Sequence, residues 1–232
     1  MALSEDRIAR YARQLLVPGL GEAAQELLLG SRVRAVGASA VAGPGLVYLV
    51  QAGVGRLWLD DHEDVGPADA PSWLYPPSAV GRSRVEAARQ ALGPLSEFVL
   101  VDRYPVGGVP SGAFICAAST TQALQAAEEA RRAGIPHVVV EADGEGGSVV
   151  SVPPGAPCFA CARSVTGAGR PPLPGAGALA AVAASELILM LTGLPGVTGR
   201  RIELIRGAAM VRPTQRLAGC VCAGEPAKAP EA

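Results

Sequence analysis

Two groups of residues in this chain are of types that do chemistry. The first is a set of cysteines, Cys158-x-x-Cys161 and, far downstream, Cys220-x-Cys222. Four thiolates in two close pairs are what a structural Zn²⁺ needs; disulfides or free thiols are the other readings of the same residues. The fifth cysteine, Cys116, lies in an apolar, β-rich run and reads as a small buried residue. The second group is Val33–Val65, VRAVGASAVAGPGLVYLVQAGVGRLWLDDHEDV. An apolar run leads into a small-residue turn from Gly37, then an apolar helix, then a second strand ended by Asp60 and Asp61. That order is the start of a nucleotide-binding βαβ unit, in which a helix N-terminus turns bare amides toward a phosphate. An acid at the end of the second strand can hold ribose hydroxyls; Asp61 stands 24 residues after Gly37, near the roughly 20 that this role expects. Ser39, Ala40 and Ala42, however, occupy positions where close approach of a phosphate favours glycine. A βαβ unit that binds no nucleotide is therefore an equal reading of this stretch.

The elements that must position these residues alternate. Ser4 is placed to cap a helix with Ile8, Tyr11, Leu15 and Leu16 on one face and Arg10 and Arg13 on the other. A second helix spans Glu22–Leu29. Periodicity predicts strands at Val33–Gly37, Arg56–Leu59, Phe98–Val101, Ala113–Cys116 and Pro136–Val140. Gly147–Val152 reads as a strand able to pair antiparallel, followed later by Arg201–Ile205 and Ala209–Arg212. Helices are predicted at Gly45–Gln51, Arg82–Leu92, Gln122–Ala133 (capped by Ser119 or Thr120) and Ala178–Leu191. Prolines at 67, 71, 76 and 77 exclude regular structure there and mark a surface loop. Thr166–Gly177 is a Pro/Gly-rich, mobile crossing segment. The alternation predicts an α/β fold, a doubly wound and mostly parallel sheet, as one domain over residues 1–224 with a disordered tail at 225–232.

Composition narrows the function classes. With 49% hydrophobic residues in 232, a sizeable core is expected. A net charge of −1 gives no reason to expect nucleic acid or a membrane surface as partner. The single lysine is Lys228, so the body of the chain has no catalytic lysine. The charged, helical N-terminus does not read as a secretory leader. The longest apolar run, Ala176–Leu194, carries Glu186 and glycines and reads as a buried helix. Five cysteines without a leader suit a reducing, cytoplasmic setting. His62 and His137 have no metal-like partners near them in sequence.

Six pieces then match one family in order and spacing: RYARQ (Arg10–Gln14), Val36–Gly55, LDDHEDV (Leu59–Val65), VGRSRVEAA (Val80–Ala88), PCFAC (Pro157–Cys161) and the terminal cysteine pair. The chain resembles the ThiF/MoeB/HesA group, bacterial relatives of ubiquitin-activating enzymes, over roughly Arg10–Gly224. In that family ATP adenylates the C-terminal glycine of a ubiquitin-like sulfur carrier, and the enzymes are usually homodimers with a structural zinc. The resemblance implies a Rossmann-like ThiF/MoeB fold with a zinc-ribbon-like site on Cys158, Cys161, Cys220 and Cys222. It implies an ATP/Mg²⁺ site with Gly37, Ser39, Asp61 and Glu63 on the cofactor. Arg84 would contact phosphates, and Arg13 would reach into the partner subunit's site. The same match shows departures. Ser39, Ala40 and Ala42 replace glycines, and Ser72, within Ala68–Trp73, replaces a phosphate-binding arginine. Arg84 replaces a lysine, Ala118 the Mg²⁺-linked aspartate, Ser119 an asparagine, and C-x-C the second C-x-x-C.

Adenylation brings a carboxylate against a phosphate, so cations and metal must neutralise the developing charge. Losing one preorganised contact of this kind costs on the order of 10²–10³ in rate. The sequence therefore predicts a catalytically weak or inactive member, retained as a homodimeric scaffold for a small ubiquitin-like carrier, a peptide or a paralogue. The alternative is an active adenylyltransferase with a residual site on Arg13, Asp61, Glu63 and Arg84. On the inactive reading Arg13 lies on a solvated helix face, Asp61 caps a loop and Arg84 forms a surface ion pair.

Overall fold

The computed structural model describes residues 3–143, 146–163, 173–194, 197–205 and 208–224. Among these, eight strands form one sheet: β1 (Arg32–Val36), β2 (Arg56–Asp60), β3 (Leu100–Arg103), β4 (Gly112–Ile115), β5 (His137–Asp143), β6 (Gly146–Val152), β7 (Arg200–Ile205) and β8 (Ala208–Pro213). Their order is β3-β2-β1-β4-β5-β6-β7-β8. β3 through β5 pair parallel, and β6, β7 and β8 extend the sheet antiparallel. Side chains alternate between two faces, as the period of a strand requires. Val33, Ala35, Leu57, Leu59, Phe114, Val138 and Val140 pack in one core with α3 (Gly43–Ala52), α4 (Arg84–Leu92) and α7 (Leu173–Leu191). Val36, Ala113, Ile115, Val139 and Val150 pack in the other, with α5 (Thr120–Arg132) and α6 (Phe159–Ala162). Helices on both faces of a 3-2-1-4-5 sheet make the doubly wound arrangement expected from the sequence.

Two glycines hold the glycine turn and its helix against the sheet. Gly37 has φ +87°, and a Cβ there would lie 2.2 Å from the carbonyl oxygen of Cys116. Gly45 brings α3 so close to α7 and β4 that a Cβ would lie 2.6 Å from the Ala180 oxygen and from Phe114 Cζ. α3 is apolar nearly all round because it is covered by α7 on one side and the sheet on another.

Several elements differ from expectation. In α1 (Glu5–Leu15) only Tyr11 is buried; Ile8 and Leu16 are exposed, because the helix touches the body through Tyr11 and Gln14 instead of lying in a groove. Ser4 holds the N-cap position but its hydroxyl makes no capping bond, whereas Ser119 accepts from Gln122 N at 3.2 Å and caps α5. α2 spans Glu22–Gly30. The proline-rich loop is not a plain surface loop, since Asp69, Leu74 and Tyr75 are buried within it. The crossing segment falls partly outside the described residues, and α7 begins already at Leu173. The tail at 225–232 lies wholly outside them. Glu186, inside the apolar helix, is answered by Ser151 at 2.7 Å and by Arg200 at 2.6 and 2.8 Å. Among the described residues no helix is long and apolar enough to cross a membrane. His137 is 1% exposed and burial pushes its pKa down to about 4, so it is a neutral core residue.

Gly37→Ala is expected to cost about 1–3 kcal/mol in urea denaturation, from forced positive φ and overpacking. Gly30→Ala, whose Cβ would meet nothing within 4 Å, is the control and should not destabilise. Equal stability of the two variants would contradict this account of the turn.

Candidate nucleotide turn and cysteine centre

The turn between β1 and α3 is the place where a βαβ unit would receive a phosphate. Here the amides of Gly37, Ala38, Ala40, Ala42 and Gly43 are engaged within the chain. Gly37 N donates to the Asp60 carbonyl at 2.9 Å, Ala42 N to Ser39 O at 3.0 Å, and Gly43 N to Ala40 O at 3.4 Å. Ala38 N donates to Asp61 Oδ2 at 2.7 Å, and Ala40 N to Asp69 Oδ1 at 3.2 Å. Pro44, at the second position of α3, has no N–H to offer. Ser39 is half-buried and its hydroxyl bonds the Cys116 thiol, whose pKa burial pushes up to about 12.

Asp61 is buried, and its second oxygen accepts from Glu63 N at 2.8 Å; it ties the end of β2 to the turn, as a loop cap would. Arg84, the first residue of α4, is not in a surface ion pair. It is 8% exposed and lies among three carboxylates. Nη2 meets Asp69 Oδ2 at 2.8 Å, Nη1 bonds Glu63, and Nη1 is 3.6 Å from Asp61. The burial follows from the chain path: β2 ends at Asp60, and α4 starts where Arg84 N bonds the Glu63 carbonyl at 3.0 Å. Burial opposes ionisation of Asp69, but Arg84 and the amides of Gly66 and Ala40 outweigh it and hold the carboxyl below its usual range. One guanidinium against three carboxylates leaves the mouth of the turn anionic, the wrong sign for a triphosphate.

The remaining candidates are not brought to this place. Arg13 is exposed on α1, with no hydrogen bond or ion pair among the described residues. Its neighbour Gln14 bonds the Ala52 carbonyl at 3.1 Å, at the opposite end of α3, roughly 15 Å from the turn for a ten-residue helix. Ser72 closes a local turn with Tyr75. Ala118 is exposed and its N–H bonds Gln122 Oε1 at 3.2 Å. Sequence reasoning missed Asp69 and Tyr75, whose hydroxyl donates to the Ala38 carbonyl. The acid at the second position of Ala68–Trp73 is the signal that points to the former; nothing local marks the latter.

The cysteines do come together. Sγ–Sγ distances are 3.7 Å for Cys158–Cys161, 3.5 Å for Cys158–Cys220, 3.5 Å for Cys161–Cys222 and 3.6 Å for Cys220–Cys222, and all four sulfurs lie within 4.8 Å of one another. A disulfide needs about 2.05 Å, so no pair is oxidised. Four sulfurs placed tetrahedrally at about 2.3 Å from one ion stand about 3.8 Å apart. The cluster fits that figure, including the C-x-C pair, and can hold a metal ion. Leu217 N donates to Cys161 Sγ at 3.4 Å, the kind of amide contact that supports a thiolate.

A doubly wound sheet, an acid-bounded glycine turn and a four-cysteine cluster able to hold a metal define a Rossmann-like α/β protein. Comparison with known proteins gives the family. The ThiF family pattern matches residues 11–110. The bovine protein named adenylyltransferase and sulfurtransferase MOCS3 is 30% identical over 249 aligned residues, which cover 97% of this chain and 55% of that one. The probable adenylyltransferase/sulfurtransferase MoeZ of Mycobacterium tuberculosis is 33% identical over 113 residues, 48% of this chain and 29% of that one. The chain thus spans about half or less of the length of these curated relatives. Among solved structures, E. coli MccB with ATP superposes with TM-score 0.78 at 16% identity, covering 93% of this chain and 73% of that one. MccB with N-formylated MccA gives 0.77 at 15%, covering 96% and 77%. These matches support membership of the ThiF/MoeB family.

Replacing Arg84 by Ala leaves three carboxylates without their cation. Urea denaturation should show a loss of about 3–5 kcal/mol, with Arg84→Lys recovering part of it. A loss under about 1 kcal/mol would mean that the ion cluster contributes little to the fold.

Proposed function

We propose that this protein is a ThiF-family scaffold that has lost most or all adenylation chemistry and binds a small ubiquitin-like carrier, a peptide or a paralogue. The observation that carries the reading is the buried Arg84 cluster, in which the guanidinium nearest the turn is already surrounded by Asp61, Glu63 and Asp69. Ala118 supplies no acid for Mg²⁺, and Ser72 no cation. The developing charge of an adenylation transition state would meet carboxylates instead of donors. The choice of partner class rests on the relatives: MOCS3 is named an adenylyltransferase, and MccB is solved with MccA. Homodimerisation in the cytoplasm is part of the proposal, with the exposed Arg13 and Leu16 of the α1 region at the contact. The second reading, an active ATP-dependent adenylyltransferase, is favoured by the retention of Gly37, Asp61, Glu63 and a cation at Arg84; there Arg13 would be donated across the dimer.

We further assign Zn²⁺ to Cys158, Cys161, Cys220 and Cys222, as a structural ion joining α6 to the residues that follow β8. Its chemistry there is only to cross-link.

Calorimetric titration with Mg·ATP should give no binding at micromolar concentrations, and ATP–pyrophosphate exchange with candidate carriers should stay at background. Micromolar affinity together with exchange would establish the active reading. Metal analysis of protein purified under reducing conditions should find one zinc per chain, and chelation should lower the melting temperature. Metal-free protein of unchanged stability would remove the zinc assignment.

A further inference from the structure

Asp69 is 1% exposed, so its carboxylate persists only because it is gripped on both oxygens. Oδ1 accepts from Ala40 N at 3.2 Å; Oδ2 accepts from Gly66 N at 3.0 Å and from Arg84 Nη2 at 2.8 Å. Turn amides and a guanidinium are the donors that hold phosphate oxygens at a helix N-terminus. The loop carrying Asp69 is locked over this place. Tyr75 donates to the Ala38 carbonyl, and Trp73 and Leu74 lie against Gly43, the first residue of α3, within 3.4 and 3.2 Å of where its Cβ would be. A carboxylate has two oxygens and a phosphate up to four. On the same guanidinium, Arg84 Nε is buried and has no hydrogen-bond partner among the described residues.

We infer that the Ala38–Ala40 turn with Arg84 is an oxyanion site of the phosphate class whose resident ligand is the carboxylate of Asp69, so that the chain plugs its own phosphate position. This deepens the scaffold reading and rests on it. A tethered carboxylate competes with a free anion at the advantage of an intramolecular ligand. Loss of ATP use then comes from a filled cradle as well as from missing cations. Removing the Asp69 side chain frees Ala40 N, Gly66 N and Arg84 Nη2, while Ala38 N stays with Asp61.

The test is pyrophosphate binding, read by calorimetry and by the ¹⁵N–¹H resonances of Ala38 and Ala40, in the unmodified protein and in Asp69→Ala, with chloride at matched ionic strength as control. Asp69→Ala should bind pyrophosphate at least tenfold more tightly than the unmodified protein. Its Ala40 amide should shift saturably, and its melting temperature should recover as pyrophosphate is added. In the unmodified protein both amides should stay in place at every concentration. A folded Asp69→Ala with no gain in affinity overturns the inference and leaves the scaffold reading intact. Saturable movement of the Ala40 amide in the unmodified protein also overturns it, and that arm decides the matter even where Asp69→Ala does not fold; Asp69→Asn, which keeps the volume and removes the charge, then serves as the variant. ATP binding by the unmodified protein with the Ala40 amide unmoved would defeat the scaffold reading alone.

Discussion

The guanidinium of Arg84 ties together three segments through their carboxylates. These are the end of β2 at Asp61 and Glu63, the loop at Asp69, and the start of α4. Buried charges persist only when paired and hydrogen-bonded, so the positions of these segments depend on one another. Asp61 and Asp69 in turn reach the amides of the glycine turn. The turn, the loop over it and the first residue of α4 therefore form one polar unit set on the C-terminal edge of the sheet. In a βαβ protein that edge is where a ligand binds, and here the chain's own acids hold the Ala38 and Ala40 amides.

The frame around this unit is conventional for the fold. Two apolar cores lie on either face of the sheet, and close approach at Gly37 and Gly45 sets α3 against its neighbours. The cysteine centre lies elsewhere, between α6 and the segment after β8. The altered residues Ser72 and Ala118 stand at polar-site positions, whereas the two cores are built of apolar side chains. A chain under pressure to fold but not to adenylate would change in this way, since core substitutions cost more stability than surface ones.

Much of this was legible in the sequence, for physical reasons. Strand and helix positions in the Val33–Val65 unit follow from short-range periodicity, and the structure moves their ends by only a few residues. The cysteine spacing pointed to one cluster, and the chain path supplies the geometry for it. What escaped is long-range. Prolines exclude regular structure but say nothing about burial, so a loop holding Asp69, Leu74 and Tyr75 read as solvent-facing. On the inactive reading Arg84 is a surface residue, because a helix's first turn is usually exposed; its partners come from positions 61, 63 and 69. The face of α1 failed for the converse reason: Ile8 and Leu16 have the spacing of a buried stripe, yet only Tyr11 has a surface to cover it.

The central claim is that the phosphate position of this βαβ unit is filled from within. A crystal structure grown with Mg²⁺ and a non-hydrolysable ATP analogue at millimolar concentration tests it most directly. The account predicts Asp69 against the Ala40 amide, Tyr75 on the Ala38 carbonyl, and no nucleotide at the turn. Phosphate density against the Ala38 and Ala40 amides, with the loop from Gly66 to Tyr75 displaced, would contradict it.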